Sequence, residues 1–445
     1  MIHLFDSYHQ SSWDLHYSLL CSGYANPTIV LQDDGFLPED VTSPFRFFTG
    51  YDEAQGLPLY FNQVKTPDFW EIRGDNSKAE VYHFASKRAH IHYAKPSHKR
   101  LVKAVDWFDE AGRIIVTDRY NDKGLRFGQT SYDRQGQATQ TSYYSVDGQE
   151  VLVENHGTGD LILNFQGQIH FFKNKHSWIE FYLKEAGFDL DRIVYNTLAL
   201  PFLTAFYLDE EGEDLLFWQE PITDEIPGNM RLLLEKQSKR PTKILVQDKK
   251  TYERLLALVT DEQKDSIAYL GYLYPLKEKR DLQPEALILT NSDQLEQLDK
   301  LVSGLPELHF HIGAITEMSS RLMEMGRHKN VTLYPNMSLD LARELYQRVS
   351  IYLDINHGNE ILSAVRTAFE WRLVIFSFEE TIHNPSYVAS ENRYSSARVQ
   401  EMMWKLQGLM DNQAGLQDCL LAAQEMEANI TTVENYQQLI GEEGL

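Results

Sequence analysis

The chain is short of cysteine, of positive charge and of long apolar runs, and each shortage closes off a class of function. Only Cys21 and Cys419 occur in 445 residues. They lie far apart, without metal-ligand spacing or basic neighbours, so a reactive thiol is not expected and a reducing cytoplasm suits them. Lysine and arginine number 42 against 65 aspartates and glutamates, a formal net charge of −23. Phosphate contacts need a local excess of cations, so a generic nucleic-acid binder is excluded. No stretch approaches the roughly 20 apolar residues of a membrane span, and the N-terminus has no basic flank leading into an apolar run. A cytoplasmic protein is expected.

What is present fits two or three domains. The N-terminal IHLF predicts a strand, Asp6 or Ser7 a cap for an amphipathic helix running to about Leu20 and ending near Gly23, and TIVL a second strand. His9 and His16 share a face of that helix, but seven residues is a poor ligand spacing and no acidic or thiol set accompanies them, so no metal site is expected. Residues 1–50 are thus the first part of an N-terminal Rossmann-like domain.

From 51 to 165 the pattern changes to period-two strands rich in Tyr, Phe, Val and Thr, an inserted antiparallel β-meander. Gly112, Gly124, Gly136 and Gly148 recur every twelve residues, and Phe108, Tyr120, Tyr132 and Tyr144 each stand four positions before a glycine. Each repeat reads as one strand and one turn. The four aromatics are candidates for a face that binds a partner protein or extended peptide, unless that face lies on the N-terminal domain itself. Between Val81 and Val105 stand Lys87, Arg88, Lys95, Lys99, Arg100 and Lys103, with four histidines and no carboxylate. This reversal of sign reads as edge-strand protection, or as a contact strip for an acidic partner or anionic lipid.

The α/β alternation returns over 166–274, completing the first Rossmann-like domain. A charged run at 275–284 reads as a linker, 285–425 as a second Rossmann-like domain, and 426–445 as a segment crossing back to the first. His309 and His311 alternate with apolar neighbours and read as core or cleft histidines; Met402, Met403 and Met410 read as core packing.

The stretch from Ser350 to Asn384 organises the rest. It reads as a strand (IYLDI), a loop (NHGNE), a helix (ILSAVRTAF) and a second strand (LVIFSF), with its loop at the strand-end edge where open α/β sheets bind ligands. It resembles the nucleotide-sugar half of a two-Rossmann (GT-B) retaining glycosyltransferase, in which a Glu-Gly-Phe-Gly loop and a glutamate eight residues later hold the donor sugar. Here His357 precedes Gly358, and Val365 stands eight positions on. The strand-end loops at 290–293, 313–318, 335–340, 354–360 and 377–384 contain no Lys or Arg but carry Asp293, Glu317, Asp340, Asp354, Glu360, Glu379 and Glu380. Such loops repel a diphosphate. Asn291, Asn356, His357, Asn359, Glu360 and His383 are instead candidates for holding an uncharged sugar.

With ILTNSDQLEQL, FHIGAITEMSSRL, NVTLYPN and YLDINHGNEI added, the whole chain resembles the non-catalytic, stabilising subunits of the bacterial peptide O-GlcNAc transferase. The resemblance implies an α/β fold of two Rossmann-like domains with the inserted meander. It implies no catalysis and no cofactor in this chain, and a catalytic partner subunit, in a two-plus-two assembly, that transfers N-acetylglucosamine from its UDP donor to Ser/Thr of serine-rich-repeat adhesins before their accessory Sec export. It further implies acceptor recognition by this chain and peripheral contact with the cytoplasmic face of the membrane. Two alternatives stand beside it: an active retaining transferase built on Glu360 with His357, and a scaffold with an empty cleft.

Overall fold

The computed structural model describes residues 1–411 and 415–441, in two compact units. One comprises Met1–Leu270 with the described residues from Glu434 onward; the other is Gly271–Val433.

The first unit is built on a seven-stranded parallel sheet. Across it run Ile267–Tyr269, Thr242–Val246, Asp214–Trp218, Ile193–Tyr195, Ile2–Phe5, Thr28–Val30 and Val41–Thr42. All residues of Ile2–Phe5, Ile193–Tyr195 and Asp214–Trp218 are buried, the signature of strands covered on both faces. The first helix spans Gln10–Cys21, so it begins later than a cap at Asp6 or Ser7 requires. His9 occupies the N-cap without a side-chain bond, and Ser7 instead uses its carbonyl to accept from the Ser12 hydroxyl at 2.7 Å. His16 is buried, bonded to Tyr8 Oη at 2.7 Å and Thr28 Oγ1 at 3.1 Å, and burial lowers its pKa. Among the described residues no group of His, Cys, Asp and Glu is arranged to hold a metal.

The insert is a ten-stranded antiparallel sheet whose strands neighbour one another in chain order, from Trp70–Gly74 to Gln168–Phe172. It therefore runs past 165: Gln166 and Gly167, at φ 53° and 76°, turn a two-residue hairpin that pairs Gln168–Phe172 back onto Leu161–Phe165. The repeat glycines at 112, 124, 136 and 148 hold φ between 76° and 79°, the left-handed geometry each turn demands. Asp109 and Asp133 complete their turns by accepting two backbone N–H bonds each on one carboxylate oxygen, as Asn121 does with its amide oxygen.

One face of the insert is covered inside this unit. Phe127, Tyr143, Leu152, Leu161 and Leu163 join Phe45, Phe48, Trp178 and Tyr182 in one core, while Ala79, Val81, Ala89, Ile91, Val102 and Val105 pack with Val64 in another. Phe108, Tyr120, Tyr132 and Tyr144 do not form one platform. Each ends its strand, and successive strands run antiparallel, so Phe108 and Tyr132 stand at one end of the sheet and Tyr120 and Tyr144 at the other. All four are half-buried. The basic strip is largely matched locally. Lys87 pairs with Glu80 at 2.7 Å, Lys103 with Asp34 at 2.8 Å, Arg88 approaches Glu110 at 3.9 Å, and Arg100 donates to Asn76.

Of the segment 426–445, residues 442–445 lie outside the described residues. The helix Val433–Ile440 places Tyr436 fully buried against Phe217 in the first unit, with ring centroids 6.2 Å apart. Arg192 donates to the Ile440 carbonyl at 2.8 Å and Lys243 to that of Leu439 at 3.0 Å.

The second unit carries a six-stranded parallel sheet, in the order Val331–Tyr334, His309–Gly313, Glu285–Leu289, Ile351–Asp354, Val374–Phe378, Arg393–Tyr394. Alternate residues feed two cores: Ile288, Ile312 and Phe376 on one face, Leu287, Leu289 and Ile375 on the other. Met402, Met403 and Met410 pack in the first of these. The run 275–284 is not free linker but belongs to this unit, where Arg280 donates to the Tyr346 carbonyl and Lys277 N–H to that of Glu370, each at 2.8 Å.

Candidate functional site

The carboxyl edge of the second sheet is where the sequence placed the chemistry. The strand Ile351–Asp354 ends on a buried aspartate, and the loop after it is longer than the sequence implied. The helix begins only at Ala364, with Leu362 and Ser363 both left-handed at φ 55° and 48°. Glu360 is the reason this works: its carboxylate accepts the Val365 backbone N–H at 2.8 Å and serves the open first turn of the helix.

Asn356 holds the loop from within. It is 2% exposed; its amide oxygen accepts from Thr290 Oγ1 at 2.8 Å and from Gly358 N–H at 2.9 Å, while its nitrogen donates to Asn359 O and Asn291 Oδ1 at 3.3 and 3.4 Å. Gly358 permits this approach. A Cβ there would lie 2.0 Å from Asn291 Oδ1 and 3.1 Å from the Ser292 Cβ.

His383 pins the loop from the neighbouring strand end. Its Nδ1 lies 2.5 Å from Asp354 Oδ1 and its Nε2 2.8 Å from the Gly358 carbonyl, while its backbone N–H donates to the other Asp354 oxygen at 2.8 Å. Both ring nitrogens face acceptors, so the ring is an imidazolium. Its pKa is raised to about 9, chiefly by the hydrogen bond to Asp354.

The six candidate residues are thus divided. Asn291, Asn356, His383 and the Asn359 backbone converge around Gly358, with Asn356 spent on the loop itself. His357 turns away to Glu296, 2.7 Å from Nε2 to Oε2, and Glu360 caps the helix, so these two do not share a reacting position. Exposed at the rim are Asn291, His357, Asn359 and Glu360. The role of Asp354 as partner of His383 was missed, because it appears in sequence only as one more loop acid. A cation does approach the rim from outside the five loops: Arg398 lies 3.8 Å from Glu379, shared with Glu401 at 3.5 Å. His309 and His311 lie elsewhere. His309 pairs across the sheet with Glu285 at the start of the strand Glu285–Leu289, and His311 bonds Tyr334 Oη at 2.9 Å and Glu285 at 3.2 Å.

Two parallel α/β units, one interrupted by an antiparallel sheet, with a loop site at a strand-end edge, define the glycosyltransferase GT-B class. The pneumococcal O-GlcNAc transferase GtfA in complex with UDP and GlcNAc shares the fold at a TM-score of 0.55 and 14% identity over 99% of this chain and 98% of that one. Known family profiles match in four consecutive stretches: GtfB N-terminal domain over 2–48, GtfB middle domain over 70–173, GtfB third domain over 175–258, and GftB/GlyA-F C-terminal domain over 286–424. The stabilising protein GtfB of UDP-N-acetylglucosamine–peptide N-acetylglucosaminyltransferase from Streptococcus agalactiae is 44% identical over 441 residues, 99% of each chain. A chain in the crystal structure of a GtfA/B complex bound to UDP and GlcNAc is 45% identical, with a TM-score of 0.93 over 99% of both. The chain belongs to the GtfB family of stabilising proteins.

Proposed function

We propose that this chain is the non-catalytic stabilising and acceptor-recognition subunit of a protein O-GlcNAc transferase complex. The observation that carries the reading is the end-to-end likeness to a chain of a GtfA/B complex. Glycosyl transfer belongs to the partner subunit, which moves N-acetylglucosamine from UDP-N-acetylglucosamine to Ser/Thr of a serine-rich-repeat adhesin. The strand-end loops here support this division, since they lack Lys and Arg and hold neutral and acidic groups at the rim. Asn291, His357, Asn359 and Glu360 suit the hydroxyls and acetamide of a sugar already carried by the acceptor.

The partner subunit docks, in this reading, on the open face of the meander rather than on the repeat aromatics. On its last two strands Ile162 lies opposite Phe171, with Ile169 beside it on the same face, and they are 44%, 60% and 78% exposed. Adjacent apolar side chains so exposed at a sheet edge mark an association surface. The assembly is two-plus-two, cytoplasmic, and touches the inner membrane face only peripherally, through Lys95 and Lys99 of the basic strip. Among the described residues no helix is long and apolar enough to cross a membrane.

The test is co-expression with a GtfA-type subunit. Ile169→Asp with Phe171→Asp is expected to lose co-purification while retaining its circular dichroism, and Asn359→Ala with Glu360→Gln to keep the complex but bind glycosylated Ser/Thr-rich peptide at least about tenfold more weakly. Tight binding of UDP-N-acetylglucosamine by the isolated chain would sink the non-catalytic reading.

A further inference from the structure

The first unit contains a cavity of about 510 Å³ that nothing above employs. Its floor is the carboxyl end of the seven-stranded sheet: Ser7, Tyr8 and His9 follow the strand Ile2–Phe5, and Leu31 to Asp34 follow Thr28–Val30. Such an edge is where open parallel sheets bind ligands. Its roof is the meander. Register sets Ala104, Arg119, Gly128 and Tyr143 in one row across four adjacent strands, and Thr141 opposite Glu154 two residues along. Side chains in these positions share one face of the sheet, so Arg119, Tyr143, Thr141 and Glu154 line the cavity together.

The charges lining it are balanced. Lys103 pairs with Asp34 and Lys175 with Glu154, both at 2.8 Å, and Asp33 is engaged by Ser43, Tyr51 and the Gly35 N–H. Lys103, Arg119 and Lys175 thus face Asp33, Asp34 and Glu154, and a diphosphate finds no net attraction. The loop after the first strand, DSYHQ, also has no glycine to bring backbone N–H groups against a phosphate. Arg119 is the uncommitted member. It is half-buried, and among the described residues its guanidinium has no hydrogen-bond or ion-pair partner. Its neighbours in the row, Ala104 and Gly128, are too small to cover it.

These groups suit a ring that carries hydroxyls and no charge. The Phe45 and Tyr143 rings, centroids 4.4 Å apart, give an apolar wall for the C–H face of a pyranose. The Arg119 fork supplies donors, and Glu154, whose Oε1 is held by Lys175 at 2.8 Å and His156 at 3.3 Å, supplies its other oxygen as an acceptor. We infer that this cavity is a carbohydrate site separate from the loop rim of the second unit, taking a single pyranose of the N-acetylhexosamine type. The proposal rests on the acceptor-recognition reading for the N-acetylhexosamine identity and for the source of the sugar, free or carried on a peptide.

The experiment uses the full chain. Saturation-transfer NMR and calorimetric titration are run with N-acetylglucosamine, with a Ser/Thr-rich peptide bare and O-GlcNAc-modified, and with UDP and inorganic phosphate as anionic probes. Arg119→Met removes the free donor and Ala104→Trp fills the cavity from its roof; melting and circular dichroism report whether each folds. With the second-unit rim disabled by Asn359→Ala and Glu360→Gln in every chain compared, the sugar is expected to bind the otherwise unaltered chain, to bind Arg119→Met at least about tenfold more weakly, and not to bind Ala104→Trp. No binding by the otherwise unaltered chain, equal binding by a folded Arg119→Met, or displacement by phosphate overturns the proposal. If Ala104→Trp does not fold, Arg119→Met alone decides. Weakening seen only with glycopeptide makes the acceptor the source, and weakening seen with free sugar makes the site a general one. Co-purification with the catalytic subunit is read separately, so failure of the sugar site leaves the subunit reading standing and the reverse also holds.

Discussion

At the scale of single residues, His383 sets how the second unit responds to pH. Its ring donates from both nitrogens, to Asp354 and to the Gly358 carbonyl, and its pKa is raised from 6.5 to about 9. A histidine whose pKa rises on folding adds stability that is fully present below its unfolded value and is lost as pH climbs through its folded one. The window therefore runs from 6.5 to about 9. With Asp354 fully buried and the ring mostly so, the contribution is on the order of 2 kcal/mol. His383→Gln is expected to melt below the parent chain at pH 6, with the gap closing by pH 10; a gap that stays constant or widens would remove the imidazolium from the account. No spacing along the chain announces this pair. Asp354 and His383 stand 29 positions apart, the first ending one strand and the second in the loop after its neighbour Val374–Phe378, and only the sheet order brings them together.

At the scale of elements, the meander was legible where a turn left its chemistry in the sequence. A positive φ admits glycine best, so four turns wrote a twelve-residue period that could be counted. The same period does not say what each turn touches, and this separates two otherwise equivalent glycines. At Gly136 a Cβ would meet nothing within 4 Å, whereas at Gly124 it would meet the Leu57 carbonyl oxygen at 2.5 Å. Gly136→Ala is expected to cost about 1–2 kcal/mol, the left-handed term alone. Gly124→Ala carries that term plus displacement of a backbone carbonyl, roughly 1–3 kcal/mol more. Denaturant unfolding followed through the insert's tryptophans, Trp70 and Trp107, checks the order, and equal costs would mean that the segment at Leu57 yields freely. The repeat aromatics part company for a related reason. Period and composition identify strand ends, but antiparallel succession sends alternate ends to opposite edges, so four residues alike in sequence do not meet in space.

At the scale of the whole molecule, the two parallel sheets were readable because strands buried on both faces appear as unbroken apolar runs, DLLFW and LVIFSF among them. The loops that carry function lack such a signal, since their shape follows from caps, buried amides and neighbouring strand ends. The cavity under the meander had none at all, its residues coming from two sheets and from Ser7 to Lys175 along the chain. The C-terminal helix lies between these cases. It is amphipathic in sequence, yet its docking depends on one ring: Tyr436 is 0% exposed, stacks on Phe217 and accepts from Gln247 at 3.4 Å, while Arg192 and Lys243 hold the carbonyls at the helix end. Removing a buried aromatic costs about 3–5 kcal/mol. Tyr436→Ala is therefore expected to raise amide hydrogen exchange in Asp214–Trp218 and Thr242–Val246 of the first unit, and to leave Ile351–Asp354 of the second unchanged. Tyr436→Phe, which keeps the ring and loses only the hydroxyl, should restore most of the protection. Equal loosening of both units by Tyr436→Ala would show that the helix braces the chain as a whole, and that the division at Leu270 does not mark independent stability.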